Sequence, residues 1–99
     1  MDQKLHSPDY MKIAVHLIVK GKVQGVFYRK STRRKAKELN LNGWVRNMDN
    51  GDVEIEVEGD ENTLQEFIEW CAQGPERASV TEIIKENTLV KGFSEFSIK

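Results

Sequence analysis

The apolar residues of this chain switch repeatedly between two spacings, and that switching restricts the fold more than any other feature. Ile13, Val15, Leu17 and Val19 alternate with Ala14, His16, Ile18 and Lys20, the two-residue period of a strand whose first set faces a core. Tyr28, Thr32, Lys35/Ala36 and Leu39 then follow helical spacing, with Asn40 and Gly43 placed to end the segment. The stretch Gly43-Trp44-Val45-Arg46-Asn47 reads as a second strand, and Asp49-Asn50-Gly51-Asp52 is a strong turn signal. Beyond it Val53, Ile55 and Val57 alternate with Glu54, Glu56 and Glu58, which predicts a hairpin with its glutamates on a solvated face.

The second helical period is carried by Leu64, Phe67, Ile68 and Cys71. Asp60 to Asn62 supply candidate N-caps, and Asn62 with Gln65 fits a capping box. Gly74-Pro75 stops the helix, a strand is expected over residues 80–84, and a last short one over 93–98 after the Lys91-Gly92 turn. The order β-α-β-β-α-β with a short extra strand is the split βαβ, ferredoxin-like α+β arrangement: an antiparallel-rich sheet with two helices on one face.

A chain of 99 residues suits one compact domain, burying roughly 60–70% of its unfolded-chain surface. Function is therefore expected from one small site. Residues 1–11 contain the turn-forming Ser7-Pro8-Asp9 and no periodicity, so they are expected to form a flexible tail, with the domain spanning residues 12–99. The formal net charge of −1 argues against the broad cationic field of nucleic-acid binders. No apolar run approaches the roughly 20 residues of a membrane span, and the N-terminus has no signal-peptide character, so cytoplasmic residence is expected; a monomer is expected as well. Cys71 is the only cysteine, and His6 and His16 are too far apart in sequence to suggest a metal site. Neither a metal nor a cofactor is expected, and His16 reads as a surface strand residue without an acid-base partner.

Chemistry concentrates in Gly21-Lys22-Val23-Gln24-Gly25-Val26-Phe27-Tyr28-Arg29, a glycine-punctuated loop between the first strand and the first helix. A helix N-terminus offers unpaired N–H groups and partial positive charge. Glycine lets backbone approach a ligand, and a guanidinium can fork onto two phosphate oxygens. Arg29 and Lys30 also load the first helical turn with cations, where carboxylates would be favoured, and a bound anion would offset that repulsion. Arg33, Arg34, Lys35 and Lys37 read as a solvated basic face. Phe27 and Tyr28 read as core or loop anchors, and Trp44 as packing.

Topology adds Asn47 to this site. Strands joined by a helical crossover run parallel, so the loop after the first and Asn47 at the end of the second share one edge of the sheet. With the third strand between them their backbones would be about 10 Å apart, room for a phosphoryl group and a water. An amide can accept from the water through its carbonyl and donate to phosphoryl oxygens through its NH2.

Cys71-Ala72-Gln73-Gly74-Pro75-Glu76-Arg77 also fits C-x-x-G-x-x-R, the thiol-phosphate loop pattern of protein tyrosine phosphatases. Its setting is wrong, because Cys71 continues a helical apolar stripe and Arg77 precedes a strand. A non-catalytic anion-binding domain and an RNA-binding module using the basic helix are the other function classes, the latter without the aromatic sheet motif it would need.

The loop of residues 21–29 and the Gly43-Trp44-Val45-Arg46-Asn47 stretch together resemble the two signatures of the acylphosphatase family, and the resemblance extends over about residues 12–99. It implies hydrolysis of small acyl phosphates to a carboxylate and inorganic phosphate by water, without metal or cofactor. It further implies that Arg29 binds the phosphate and that Gln24, Gly25, Val26, Phe27 and Tyr28 form a backbone cradle. Asn47 is implied to position the attacking water, and no residue of either motif is a base.

Overall fold

The computed structural model describes residues 12–99. The expected flexible tail, residues 1–11, lies outside the described residues. The elements are β1 (Lys12–Lys22), α1 (Tyr28–Glu38), β2 (Asn42–Asn47), β3 (Val53–Asp60), α2 (Glu61–Gln73), β4 (Ser79–Thr88) and β5 (Phe96–Ile98). They form one five-stranded sheet in the order β4-β1-β3-β2-β5. β3 pairs antiparallel with both β1 and β2, and β1 pairs antiparallel with β4; β5 adds to β2 in parallel. No helix among the described residues is long and apolar enough to cross a membrane.

The two-residue period makes the sheet two-faced. Val15, Leu17, Val19, Val53, Ile55, Val57 and Val45 are buried and meet Tyr28 and Ala36 of α1 and Leu64, Phe67 and Cys71 of α2 in one core. Ile13 departs from the expected set: it is half-exposed near the strand start, while Ala14 on the other face is buried. β4 runs from Ser79 to Thr88, longer than its apolar residues predict, because β1 supplies a full length of backbone partners along this edge. The last strand is shorter than expected, since only residues 96–98 pair with β2.

Both helix ends on the α1–β2 and β3–α2 connections are set by local chemistry. Asn40 takes a left-handed φ of 58°. The Leu41 N–H then returns to the Ala36 carbonyl at 2.8 Å and the Asn40 N–H to Lys37 at 3.2 Å, the paired bonds of a Schellman stop. Asp60, not Asn62, caps α2: its Oδ2 accepts from the N–H groups of Asn62 at 3.1 Å and Thr63 at 3.2 Å. Gln65 instead lies against Glu69, one turn on.

The face away from the helices is more covered than the alternating glutamates suggested. Glu58 is buried, and its two oxygens accept from the N–H groups of Lys91 at 2.8 Å and Phe93 at 2.7 Å. The segment that joins β4 to β5 therefore straps across this face, and Lys91 also pairs with Glu56. His16 has a partner after all, Glu54 at 2.7 Å, and Glu54 also accepts from Arg46 across the strand pair. Burial pushes the Glu54 carboxyl up, but these two hydrogen bonds outweigh it and hold the group below the usual carboxylate range. The Glu58 contacts were invisible in sequence because the strap comes from residues more than 30 positions away, and His16 likewise lies 38 positions from Glu54.

Lys91 on Glu56 and the Asn42 amide on the Phe93 carbonyl also hold the strap, but truncation of Glu58 exposes two strap N–H groups that have no other acceptor among the described residues. Glu58→Ala is expected to lower stability by about 2–3 kcal/mol, and Glu58→Gln, which keeps the shape and one acceptor, by less. Urea unfolding followed by circular dichroism measures both; equal stability of Glu58→Ala and the wild type would contradict the role of the strap.

Candidate active site

β3 aligns the site. Val53 pairs with Val19 on one side and with Asn47 on the other, so the end of β1 and Asn47 flank it in a single row. Cross-strand neighbours share a face, which turns Asn47 toward the helix side, where the loop leaving β1 enters α1. The sheet thus sets Asn47 and the loop two strand spacings apart, about 10 Å.

The loop itself is shaped for an anion. Gly25 has φ 75° and Phe27 φ 64°, with Val26 between them outside the positive-φ region. Left-handed residues on either side of Val26 turn the loop backbone sharply before the helix begins. Among the described residues, the N–H groups of Gly25, Val26, Phe27, Tyr28, Arg29 and Lys30 donate to no backbone carbonyl, and the first bond of the helix is Ser31 N–H to Phe27 at 3.0 Å. α1 has no acidic residue in its first turn and no side-chain cap, so its N-terminal charge is left unneutralised. Gly25 is required by its φ alone, because a Cβ there would meet open space.

Two anchors hold the loop. The Gln24 side-chain amide donates to the carbonyls of Met48 and Asp52, each at 2.8 Å, tying the loop to the turn that follows Asn47. That turn is braced in turn by Lys20, which pairs with Asp52 at 2.7 Å, and by Asn50, which bonds the Asp52 backbone and carboxylate. The other anchor is Tyr28: its ring is buried and its hydroxyl donates to the Cys71 carbonyl at 2.7 Å, which fixes the start of α1 on α2. Gly74, at the end of α2, lets that ring approach, since a Cβ would lie 2.9 Å from it.

Arg29, Lys30, Asn47, Gly25 and Tyr28 all border one cleft of about 320 Å³. Arg29 makes no ion pair among the described residues, and no acidic residue lines the cleft. The Asn47 Oδ1 is buried and accepts no hydrogen bond. A buried amide oxygen without a donor is costly unless a bound molecule supplies one. Asn47 also borders a shallower groove with Trp44, Arg46, Glu54 and Lys99. The Glu54 carboxylate there is already committed to His16 and Arg46, which leaves no free base beside the amide.

The sequence-based expectations divide at this site. Arg29, Asn47 and the loop residues Gly25 to Tyr28 border or build the cleft. Gln24 spends its NH2 on two carbonyls, so its side chain positions the loop and does not face an anion. Its partners are backbone atoms, which no residue pattern reveals. Phe27 is not an anchor, being 70% exposed. Arg34 and Lys35 border a separate groove beside Trp70, and Lys35 pairs with Glu38 at 3.7 Å, consistent with a solvated basic face. The thiol motif fails on geometry. Cys71 is buried inside α2, its thiol pushed well above the usual range by burial, while Arg77 is exposed in the turn beyond.

Native Cys71 is accordingly expected to resist an aromatic disulfide reagent and to react stoichiometrically once the chain is unfolded in denaturant. Fast labelling of the folded protein would contradict the buried, protonated thiol.

Comparison with known proteins agrees with this geometry. The family model described as acylphosphatase matches residues 15–98. The chain is 52% identical to an acylphosphatase of Marinobacter nauticus over 82 residues, covering 82% of this chain and 89% of the relative. An acylphosphatase structure from Coxiella burnetii superposes with a TM-score of 0.90 at 39% identity, covering 94% of this chain and 98% of the other. The crystal structure of Bacillus subtilis acylphosphatase gives 0.86 at 40% identity, with 88% and 98% covered. With a strand–loop–helix junction facing an asparagine across β3, and with these relatives, the chain belongs to the acylphosphatase family.

Proposed function

We propose that this chain is an acylphosphatase that acts as a cytoplasmic monomer, cleaving small acyl phosphates into a carboxylate and inorganic phosphate by direct attack of water, without metal. Every group the reaction needs comes from one copy of the chain. The substrate phosphoryl group lies in the loop of residues 24–28, where free N–H groups and the start of α1 meet its oxygens. Arg29 adds a fork of donors whose charge balances that developing on the phosphoryl oxygens in the transition state. Asn47 accepts a hydrogen bond from the attacking water through Oδ1, and its NH2 donates toward a phosphoryl oxygen.

The observation that carries this reading is the buried, unpartnered Oδ1 of Asn47 on the cleft that also holds Arg29. That no free carboxylate or imidazole stands beside it among the described residues fits an activated substrate. A carboxylate leaves readily, so alignment and charge stabilisation suffice, and the proton of the water passes to a phosphoryl oxygen of the substrate. The water oxygen bonds to phosphorus as the phosphorus–oxygen bond to the acyl group breaks.

The two side chains are expected to fail differently. Arg29→Ala loses both phosphate affinity and turnover, the latter by on the order of 100-fold or more, and Arg29→Lys is also poor because it lacks the planar fork. Asn47→Ala abolishes hydrolysis while inorganic phosphate still binds, because the cradle and Arg29 survive the change. Asn47→Asp is inactive too, since it puts negative charge beside the phosphoryl group and removes the NH2 donor. Calorimetric phosphate titration beside single-turnover hydrolysis separates these outcomes. Wild-type rates for Asn47→Ala would overturn the role of the amide, and near-normal kinetics for folded Arg29→Ala that of the guanidinium.

A further inference from the structure

The cleft has an apolar wall that a phosphate cradle does not need. Phe27 stands on it with most of its ring in solvent, and its backbone is left-handed, φ 64° and ψ 24°. Both features are unfavourable for this residue type: a phenyl ring gains nothing from exposure, and the left-handed region suits glycine or asparagine. The cradle needs the backbone conformation at position 27 but not the ring, which contributes nothing to the buried core. Strain and exposure combined at the mouth of a ligand cleft point to use of the side chain there.

The ring is not alone. Ile98 of β5 borders the same cleft, half-buried and on the last described strand, and Val23 lines it from the loop side. An anion that is polar on every side finds no partner in Phe27, Val23 and Ile98. An acyl phosphate has a second half, and the phosphoryl end is fixed by Arg29 and the N–H groups nearby.

The groove on the other side of Asn47 offers less to an apolar group. Lys99 lies over the Trp44 ring with its ammonium 4.3 Å from the centroid, and Arg46 is bonded to Glu54. The one large aromatic face there is thus already occupied by a cation.

We propose that Phe27 and Ile98 form an acyl subsite that favours acyl phosphates bearing an aromatic or otherwise apolar acyl group over those with a short one. This rests on the hydrolase reading of the site. Phe27 acts here as a specificity residue, stacking on the acyl group while the cradle holds the phosphoryl end, and the subsite contributes to binding without taking part in bond making.

The test compares kcat/KM for benzoyl phosphate and acetyl phosphate in the wild type, Phe27→Ala, Phe27→Gly and Phe27→Leu, with folding checked by circular dichroism. The readout is the benzoyl-to-acetyl ratio, in which any loss common to both substrates cancels. Phe27→Ala is expected to lower it by about tenfold, the modest end of discrimination by an apolar contact in an open site. Phe27→Gly removes the ring but relaxes the backbone, and should lower the ratio equally; Phe27→Leu should keep most of it. An unchanged ratio in Phe27→Ala, or a ratio restored in Phe27→Gly, overturns the subsite and leaves the hydrolase reading intact. Failure of the wild type to release phosphate from either substrate overturns the hydrolase reading and the subsite with it.

Discussion

The pairing of Val53 with Val19 on one edge and Asn47 on the other is the constraint from which the site follows. Because β3 runs antiparallel to both neighbours, β1 and β2 are parallel and deliver their C-terminal ends to the same side. A slip of one residue in the β2–β3 register would turn Asn47 to the opposite face of the sheet, and one in the β1–β3 register would reverse the faces of β1. The core face of β3, with Val53, Ile55 and Val57 all fully buried, makes such a slip expensive. Hydrophobic packing, to which Val23, Val26 and Tyr28 of the loop contribute, thus fixes the distance between the loop and the polar side chain of Asn47.

Within that frame the loop holds unfavourable features that the proposed phosphate would relieve. Left-handed backbone at Phe27 and cations in the first turn of α1 are both unfavourable for the free protein, and neither is relieved by an acidic neighbour. Tyr28 on the Cys71 carbonyl and Gln24 on the β2–β3 turn supply the compensating anchorage. These contacts hold the loop N–H groups in place, and under the proposed function that fixed arrangement is what electrostatic stabilisation of a transition state requires.

Much of this was legible in the residues. The periods of two and 3.6 gave the element order, and glycines beside an arginine at a strand–helix junction marked the loop that borders the cleft, because those signals are local. What escaped were contacts made across the fold. The glutamates of β3 alternate as a solvated face would, yet Glu58 is buried under the strap and Glu54 holds His16. Phe27 read as an anchor because aromatic residues usually bury, and only its positive φ and the open cleft beside it show otherwise. Gln24 read as a cradle residue, and its amide bonds backbone carbonyls whose position no sequence pattern encodes.

The central claim is that water, aligned by Asn47, attacks phosphorus held by the loop and Arg29. Hydrolysis of acetyl phosphate by the full chain in water enriched in oxygen-18, with a chelator present, tests it most directly. The account predicts steady turnover unaffected by the chelator, one heavy oxygen in each inorganic phosphate released, and none in the acetate. Label in the acetate would place the attack at the acyl carbon, and loss of turnover with the chelator would require a metal; either result contradicts the account.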